Sequence, residues 1–233
     1  MGRSLDVTTS VLATVARLGF AEHLGKPGAR PEKTLELYEY EGCPYCRKFR
    51  EALTVLDLEA MIYPCPRKGP RFRKKVIEMG GKAQFPYLVD ANTGMAMYES
   101  GHIVRYLFKT YGQGRVSLLL ASGLFGDLSS ILASLARLGR GVRYRGSTPP
   151  EKPLVLYNYE GSPFCRLVRE VLCELEIPYL VRNVPINSPS RSAYVDLSGK
   201  MMVPYLVDPN RETALFESAD IIAYLRKTYT GAR

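Results

Sequence analysis

Apolar and polar positions along the chain form one pattern that is written twice. Residues 35–40 form a β-rich run, and 47–56 follow it as a helix that leads away from a cysteine turn. A short strand follows at 60–63, then a basic helical stretch, a strand after Pro86, a turn at Ala91-Asn92-Thr93-Gly94 and a strand at 95–98. Glu99-Ser100 opens a last helix that runs to about residue 109. Ahead of this series lies one more helix and a Gly/Pro-rich, basic connector. In the second copy that helix gathers Leu128, Ile131, Leu132, Leu135 and Leu138 on one face. The order βαβαββα with an extra N-terminal helix predicts an α/β fold.

The repetition is visible residue by residue. Leu35-Glu36-Leu37-Tyr38-Glu39-Tyr40-Glu41-Gly42 returns as Leu154-Val155-Leu156-Tyr157-Asn158-Tyr159-Glu160-Gly161. Phe85-Pro86-Tyr87-Leu88-Val89-Asp90 returns as Val203-Pro204-Tyr205-Leu206-Val207-Asp208, and Glu99-Ser100 as Glu217-Ser218. A period this long exceeds that of solenoid repeats and predicts two domains, each with its own core. Gly112-Gln113-Gly114-Arg115 marks the boundary, giving units 1–114 and 115–233.

Composition adds constraints to this outline. With 46% hydrophobic and 24% charged residues and no low-complexity tract, the chain has the balance of a folded protein. The surplus of 32 basic over 23 acidic residues, a net charge of +9, favours anionic partners. The basic run Arg137, Arg140, Arg143 and Arg145 lacks the interleaved aromatics of a nucleic-acid surface, so no nucleic-acid partner is expected. Residues 5–18, with their threonines and Asp6, do not make a signal-peptide core. The most apolar stretch, 116–138, is broken by Gly123, Gly126, Asp127 and Arg137, and no transmembrane segment is expected. Cys43, Cys46, Cys65, Cys165 and Cys173 are an odd count without the spacing of a disulfide framework. They suit a reducing compartment and a redox or nucleophilic role.

The chemistry concentrates at Cys43-Pro44-Tyr45-Cys46, which follows a predicted strand and opens a predicted helix. Free N–H groups of a first helical turn stabilise a thiolate at Cys43, and Cys46, one turn on, is placed to resolve a mixed disulfide. A zinc site would need a second cysteine pair and none exists, so no metal is expected. Pro86 and Pro204 stand where a cis peptide presents backbone N–H and C=O to a peptide-like ligand. Glu99-Ser100 and Glu217-Ser218 open helices whose first turn suits a carboxylate, with ordinary capping as the alternative. Cys65 and Cys173 read as packed thiols.

These elements, in this order, resemble the glutaredoxins and the N-terminal domain of glutathione S-transferases, and the likeness covers most of both repeats. The resemblance implies tandem thioredoxin-like domains and a site for glutathione. By that resemblance Tyr45 flanks the tripeptide, Phe85, ahead of Pro86 in the same binding site, supplies backbone hydrogen bonds to its cysteinyl part, Glu99 and Ser100 hold the γ-glutamyl end, and Cys43 accepts the glutathionyl group. The second turn reads Ser162-Pro163-Phe164-Cys165 and has no dithiol. It is either a site that holds glutathione through Ser162, Phe164, Cys165, Val203, Pro204, Glu217 and Ser218 or a structural remnant. Arg67, Lys68, Arg71, Arg73, Lys74 and Lys75 crowd the first unit, whereas residues 187–194 carry only Arg191. That cationic flank either favours anions and the Cys43 thiolate or is a solvated helix face.

The expected function is a glutathione-dependent thiol–disulfide oxidoreductase acting on disulfide or glutathionylated substrates. The alternatives are a conjugating transferase and a glutathione- or iron–sulfur-binding scaffold. A dimer is compatible with either enzyme. Tandem modules of this type resemble plastid proteins of plants and algae, which implies a chloroplast location with the transit peptide removed; the alternative is the cytoplasm.

Overall fold

A computed structural model describes residues 3–15, 21–113, 116, 120, 130–132, 134, 137 and 139–231. Helix α1 spans Arg3–Val15; the first repeat continues with β1 (Leu35–Glu39), α2 (Pro44–Val55), β2 (Ala60–Pro64), α3 (Phe72–Gly80), β3 (Tyr87–Asp90), β4 (Met95–Tyr98) and α4 (Ser100–Tyr111). The second repeat supplies β5 (Leu154–Asn158), α5 (Pro163–Glu174), β6 (Tyr179–Asn183), α6 (Ser190–Ser198), β7 (Tyr205–Asp208), β8 (Thr213–Phe216) and α7 (Ser218–Tyr229). Each repeat is βαβαββα, as its pattern predicts. Of the helical face expected at 128–138, Ile131 and Leu132 are helical, while Leu128, Leu135 and Leu138 lie outside the described residues. The same holds for Gly114 and Arg115 of the expected boundary, and for Gly123, Gly126 and Asp127.

Local chemistry explains the element limits. Pro44 sits in the first turn of α2, where its missing N–H costs nothing and its fixed φ suits the helix. Gly81 ends α3 at φ 79°, a left-handed conformation that a side chain resists. Along β1 the burial pattern is nearly continuous, as expected of a strand covered on both faces. The recurring Tyr-Leu-Val-Asp has a structural use in its aspartate. Asp90 accepts hydrogen bonds from the Tyr106 and Tyr111 hydroxyls at 2.6 Å and from Asn92, so it ties the β3–β4 turn to α4. Asp208 repeats this with Tyr224, Tyr229 and Asn210.

The strands of the described residues form one sheet in the order β4-β3-β1-β2-β6-β5-β7-β8. Within each repeat the two long central strands are parallel (β1 with β2, β5 with β6) and the hairpin runs antiparallel. The halves meet where β2 and β6 pair antiparallel, with Met61 opposite Leu180, Ala60 opposite Val181 and Ile62 opposite Tyr179. These pairings interchange under the repeat, so an internal two-fold axis passes beside Met61 and Leu180. Each repeat covers an edge strand that the other would leave open. One apolar cluster runs through both halves, from Leu35, Phe49, Leu53 and Ile62 to Leu156, Val168, Leu172 and Val181.

The N-terminal parts of the repeats cross over. Helix α1 lies on α5, where Ser10 Oγ donates to Pro163 O at 2.7 Å and Thr14 Oγ1 to Gly161 O at 3.0 Å. Its counterpart reciprocates, with Ser130 Oγ donating to Pro44 O at 2.6 Å. The crossing continues in the connectors, through Gly161 N–H to Ala21 O and Leu24 N–H to Ile186 O on one side, and Gly42 N–H to Gly141 O and Tyr144 N–H to Arg67 O on the other. The two chain segments return to their own repeats at Gly25, bonded to Val55 O, and at Arg145, bonded to Glu174 O.

Charged side chains fill the space under the junction. Arg50 pairs with Glu39, with Glu41 at 3.3 Å and with Glu160 at 3.0 Å, and Arg169 with Glu41 at 3.1 Å and Glu160 at 2.7 Å. All are nearly inaccessible to solvent. Burial alone would raise Glu160, but the guanidiniums of Arg169, Arg50 and Arg47 bring it down to about 2. Burial prevails at Glu39, which is raised to about 8 although Arg50 opposes it.

Candidate functional site

The dithiol turn is built by β1 and α2. Leaving the buried β1, the chain turns at Glu41-Gly42 and places Cys43 as the N-cap of α2, in extended backbone (φ −78°, ψ 121°). Its Sγ accepts the Cys46 N–H at 3.3 Å, taking the place of the oxygen of an ordinary helix cap. The Cys46 thiol, the backbone N–H groups of Cys46 and Tyr45 and the Tyr40 hydroxyl all hydrogen-bond to this sulfur. The Cys46 thiol exerts the largest effect, and against the penalty of burial the Cys43 thiol is lowered to about 7. Cys46 goes the other way: burial, then the bond and the charge of Cys43, push it well above the usual thiol range. The two thiols of the turn are therefore electrostatically distinct, and all five cysteines are free thiols.

Around the sulfur stand groups contributed by three elements. Tyr40, at the end of β1, meets the Phe85 ring edge-on at 6.1 Å between centroids. The Arg73 guanidinium, from α3, stacks 4.7 Å from the Phe85 centroid and 5.9 Å from that of Tyr40. Its Nε is held by Cys65 O and Pro66 O at 3.1 and 2.8 Å. Phe85–Pro86 and Val203–Pro204 are both cis. With these neighbours Cys43 is only 2% exposed, whereas Tyr45 projects from the turn at 47%.

The third part of the expected site is a helix start under strain. Glu99 adopts φ 70° as the N-cap of α4, a conformation that costs a residue with a side chain about 1–3 kcal/mol. It makes no side-chain cap bond, so capping does not explain the pair; Ser100 lies buried at the first helical position. The Glu99 carboxylate instead accepts a hydrogen bond from the Gln84 side chain, one residue before Phe85. Glu217 repeats the strain at φ 64°, with Ser218 buried, but Met202 occupies the position of Gln84.

The second turn keeps the scaffold and loses the thiol. Ser162 Oγ caps α5 through the Cys165 N–H at 3.3 Å, as Cys43 does in α2. Cys165 is buried and raised by that burial, Phe164 is exposed, and Val203 replaces the Phe85 ring.

Two participants escape a reading by motif. Tyr40 contacts the thiolate, and its recurrence as Tyr159 was the available signal; Gln84 has no such signal, since the second repeat does not carry it. Cys65 and Cys173 are packed as expected, with their thiols on Tyr63 O at 3.4 Å and Gly141 O at 3.2 Å. Among the described residues no three His, Cys, Asp or Glu side chains converge as a metal site, and no helix is long and apolar enough to cross a membrane.

Comparison with known proteins agrees with this geometry. The family model of the glutathione S-transferase N-terminal domain matches twice, at residues 37–115 and 156–233. A glutathione S-transferase-like protein of Aspergillus fumigatus, tpcF, is 32% identical over 81 residues, covering 35% of this chain and 36% of its own. OpS6 of Beauveria bassiana, also named glutathione S-transferase-like, is 32% identical over 78 residues, 34% of this chain and 36% of its own. The chain thus spans about a third of the length of these curated relatives. Among solved structures, the Bombyx mori glutathione transferase BmGSTD1 matches at 24% identity over 36% of this chain and 39% of that one, with a TM-score of 0.33. The trimeric Leishmania glutathione transferase TDR1 matches at 14% identity over 86% and 68%, with a TM-score of 0.30.

Proposed function

The chain belongs to the glutathione S-transferase N-terminal domain family, and on that premise we propose that it is a glutathione-dependent thiol–disulfide oxidoreductase acting through Cys43. One observation carries this reading: a helix-capping cysteine lowered to about 7 stands one turn from a second cysteine that is pushed upward. A conjugating transferase needs only to lower the thiol of glutathione itself and has no use for a resolving cysteine.

In the proposed cycle the Cys43 thiolate attacks the glutathionyl sulfur of a mixed disulfide. The Cys43–glutathione bond forms, and the substrate leaves as a thiolate that takes a proton from water. A second glutathione, as thiolate, then attacks the bound glutathionyl sulfur. Oxidised glutathione departs and the Cys43 thiolate is restored. In the alternative exit Cys46 attacks Cys43 and expels glutathione, leaving a disulfide that two further glutathiones reduce. Once Cys43 is in a mixed disulfide its negative charge is gone, and with it the charge and hydrogen bond that hold the Cys46 proton in place. The switch from nucleophile to resolver is thereby tied to the first step. Glutathione fits the remaining groups: the uncapped first turn of α4 suits a carboxylate, Glu99 an ammonium group, and Phe85 a peptide backbone.

The test is a coupled assay. Reduced protein is mixed with a small glutathionylated disulfide, glutathione, glutathione reductase and NADPH, for wild type and Cys43→Ser. NADPH consumption that depends on Cys43 supports the reading; turnover retained in Cys43→Ser, or wild-type protein that binds glutathione without turnover, overturns it in favour of the transferase.

A further inference from the structure

Of the ten basic residues in the two basic runs, four are ion-paired among the described residues and six, Lys74 and Lys75 included, are not. Arg71 pairs with Glu176 at 3.1 Å, Arg137 with Glu170 at 2.6 Å, Arg140 with Asp6 at 3.0 Å and Arg145 with Glu174 at 2.7 Å. Arg67, Lys68, Arg73 and Arg143 have no carboxylate within 4 Å among the described residues. These four line one open groove of about 620 Å³, together with Tyr144. We propose that this groove binds acidic residues flanking the reacting cysteine of a polypeptide substrate, so that the Cys43 site selects acidic glutathionylated proteins. The proposal rests on the oxidoreductase reading and names its substrate class.

The groove exists because the repeats cross over. Arg67 N–H donates to Val142 O at 2.6 Å and Tyr144 N–H to Arg67 O at 3.0 Å, a short parallel bridge that sets Arg67 beside Arg143. Like charges directly opposite across paired strands are destabilising, so a bound anion is what relieves this arrangement. The same crossing segment touches the dithiol turn through Gly42 N–H and Gly141 O, and Arg73 links the groove to the Phe85 and Tyr40 rings. Arg73 thus joins the groove to the two rings beside the dithiol turn.

The other repeat supplies the control. The bridge recurs as His23 beside Ile186, with Ile186 N–H on Glu22 O at 2.7 Å and Leu24 N–H on Ile186 O at 2.8 Å. There the positions of Arg67, Lys68 and Arg143 hold Ile186, Asn187 and His23, and only Arg191 matches Arg73. The backbone is retained, while three of the four charges are found only in the copy with the nucleophile. Four cations also exceed what the single glycyl carboxylate of glutathione can engage, which leaves capacity for acids of the substrate.

The experiment compares two glutathionylated peptides of equal length, with aspartate or serine on both sides of the cysteine, for wild type and an Arg67→Gln/Arg143→Gln variant. A small neutral mixed disulfide reports the Cys43 chemistry separately. Wild type should prefer the acidic peptide by about five- to tenfold in kcat/KM, the order expected of two exposed charge contacts. That preference should vanish in the variant and shrink with added salt. Equal rates for the two peptides in wild type, or a preference unchanged in the variant, overturn the proposal. No turnover of the small disulfide refutes the oxidoreductase reading instead. The groove is then judged by anisotropy of a labelled acidic peptide, whose binding must depend on Arg67 and Arg143.

Discussion

The two cap turns, Cys43-Pro44-Tyr45-Cys46 and Ser162-Pro163-Phe164-Cys165, are the same piece of backbone with different atoms at its tip. Both tip groups accept the N–H three residues on at 3.3 Å, both helices start with proline, and each turn is braced from outside by a serine of the other repeat's N-terminal segment. What differs is one sulfur, one aromatic ring, the Gln84 amide that Met202 replaces and the charge of the flanking groove. A helix cap of this kind tolerates oxygen or sulfur equally well as structure, whereas only sulfur at this position forms a disulfide. The same turn therefore forms with either atom at its tip.

The largest expected effect breaks that difference. In a Cys43→Ser background, Ser162→Cys rebuilds a dithiol turn with Cys165 as resolver, and the coupled assay should recover activity from the second repeat. Recovery to within about tenfold of wild type means that the sulfur alone separates the sites. Recovery of less than about a hundredth means that Phe85, Gln84 or the groove is required as well.

The buried junction is shared by both repeats, and next in size is the cost of breaking it. Glu160→Gln strips Arg50 and Arg169 of a carboxylate in a site closed to water, and urea unfolding should show a loss of about 3–5 kcal/mol. Both repeats should unfold in one transition, since they share a sheet and a core. Two separate transitions would contradict the continuous core.

Acidity sharpens the comparison further. The Cys43 proton is held less tightly than in a free thiol, so iodoacetamide labelling of Cys43 should rise with pH around a midpoint of about 7 and fall away below it. In the Cys43→Ser, Ser162→Cys protein the same experiment reads the acidity that the second turn imposes. The smallest effect is expected from Gln84→Met, which copies the second repeat. Losing one hydrogen bond to the Glu99 carboxylate should weaken glutathione binding by about three- to tenfold in calorimetry, with kcat little changed.

Most of the fold was legible because each repeat is locally consistent, with β-rich runs, turns and helical stretches in one order, and because the two copies corroborate one another. The dithiol turn was legible for the same reason, as its position between strand and helix defines its chemistry. Of the two readings of Glu99-Ser100, ordinary capping is the one the structure does not bear out, since Glu99 makes no side-chain cap bond. The positive φ of Glu99 and Glu217 leaves no trace in composition. Gln84 and the unpaired arginines were equally hidden, since pairing depends on which acids lie within reach after folding.

By itself, then, the sequence determined the two βαβαββα repeats, the single dithiol and the serine that replaces it. Only the tertiary structure decided that β2 and β6 join the halves into one sheet, that the N-terminal segments exchange, and that Arg143 of one repeat stands beside Arg67 of the other. The physical reason is range. Hydrogen bonds within a turn or helix are set by neighbours a few residues apart, and spacing records them. Edge pairing and charge pairing across the junction depend on which distant groups meet, and no local pattern encodes that meeting.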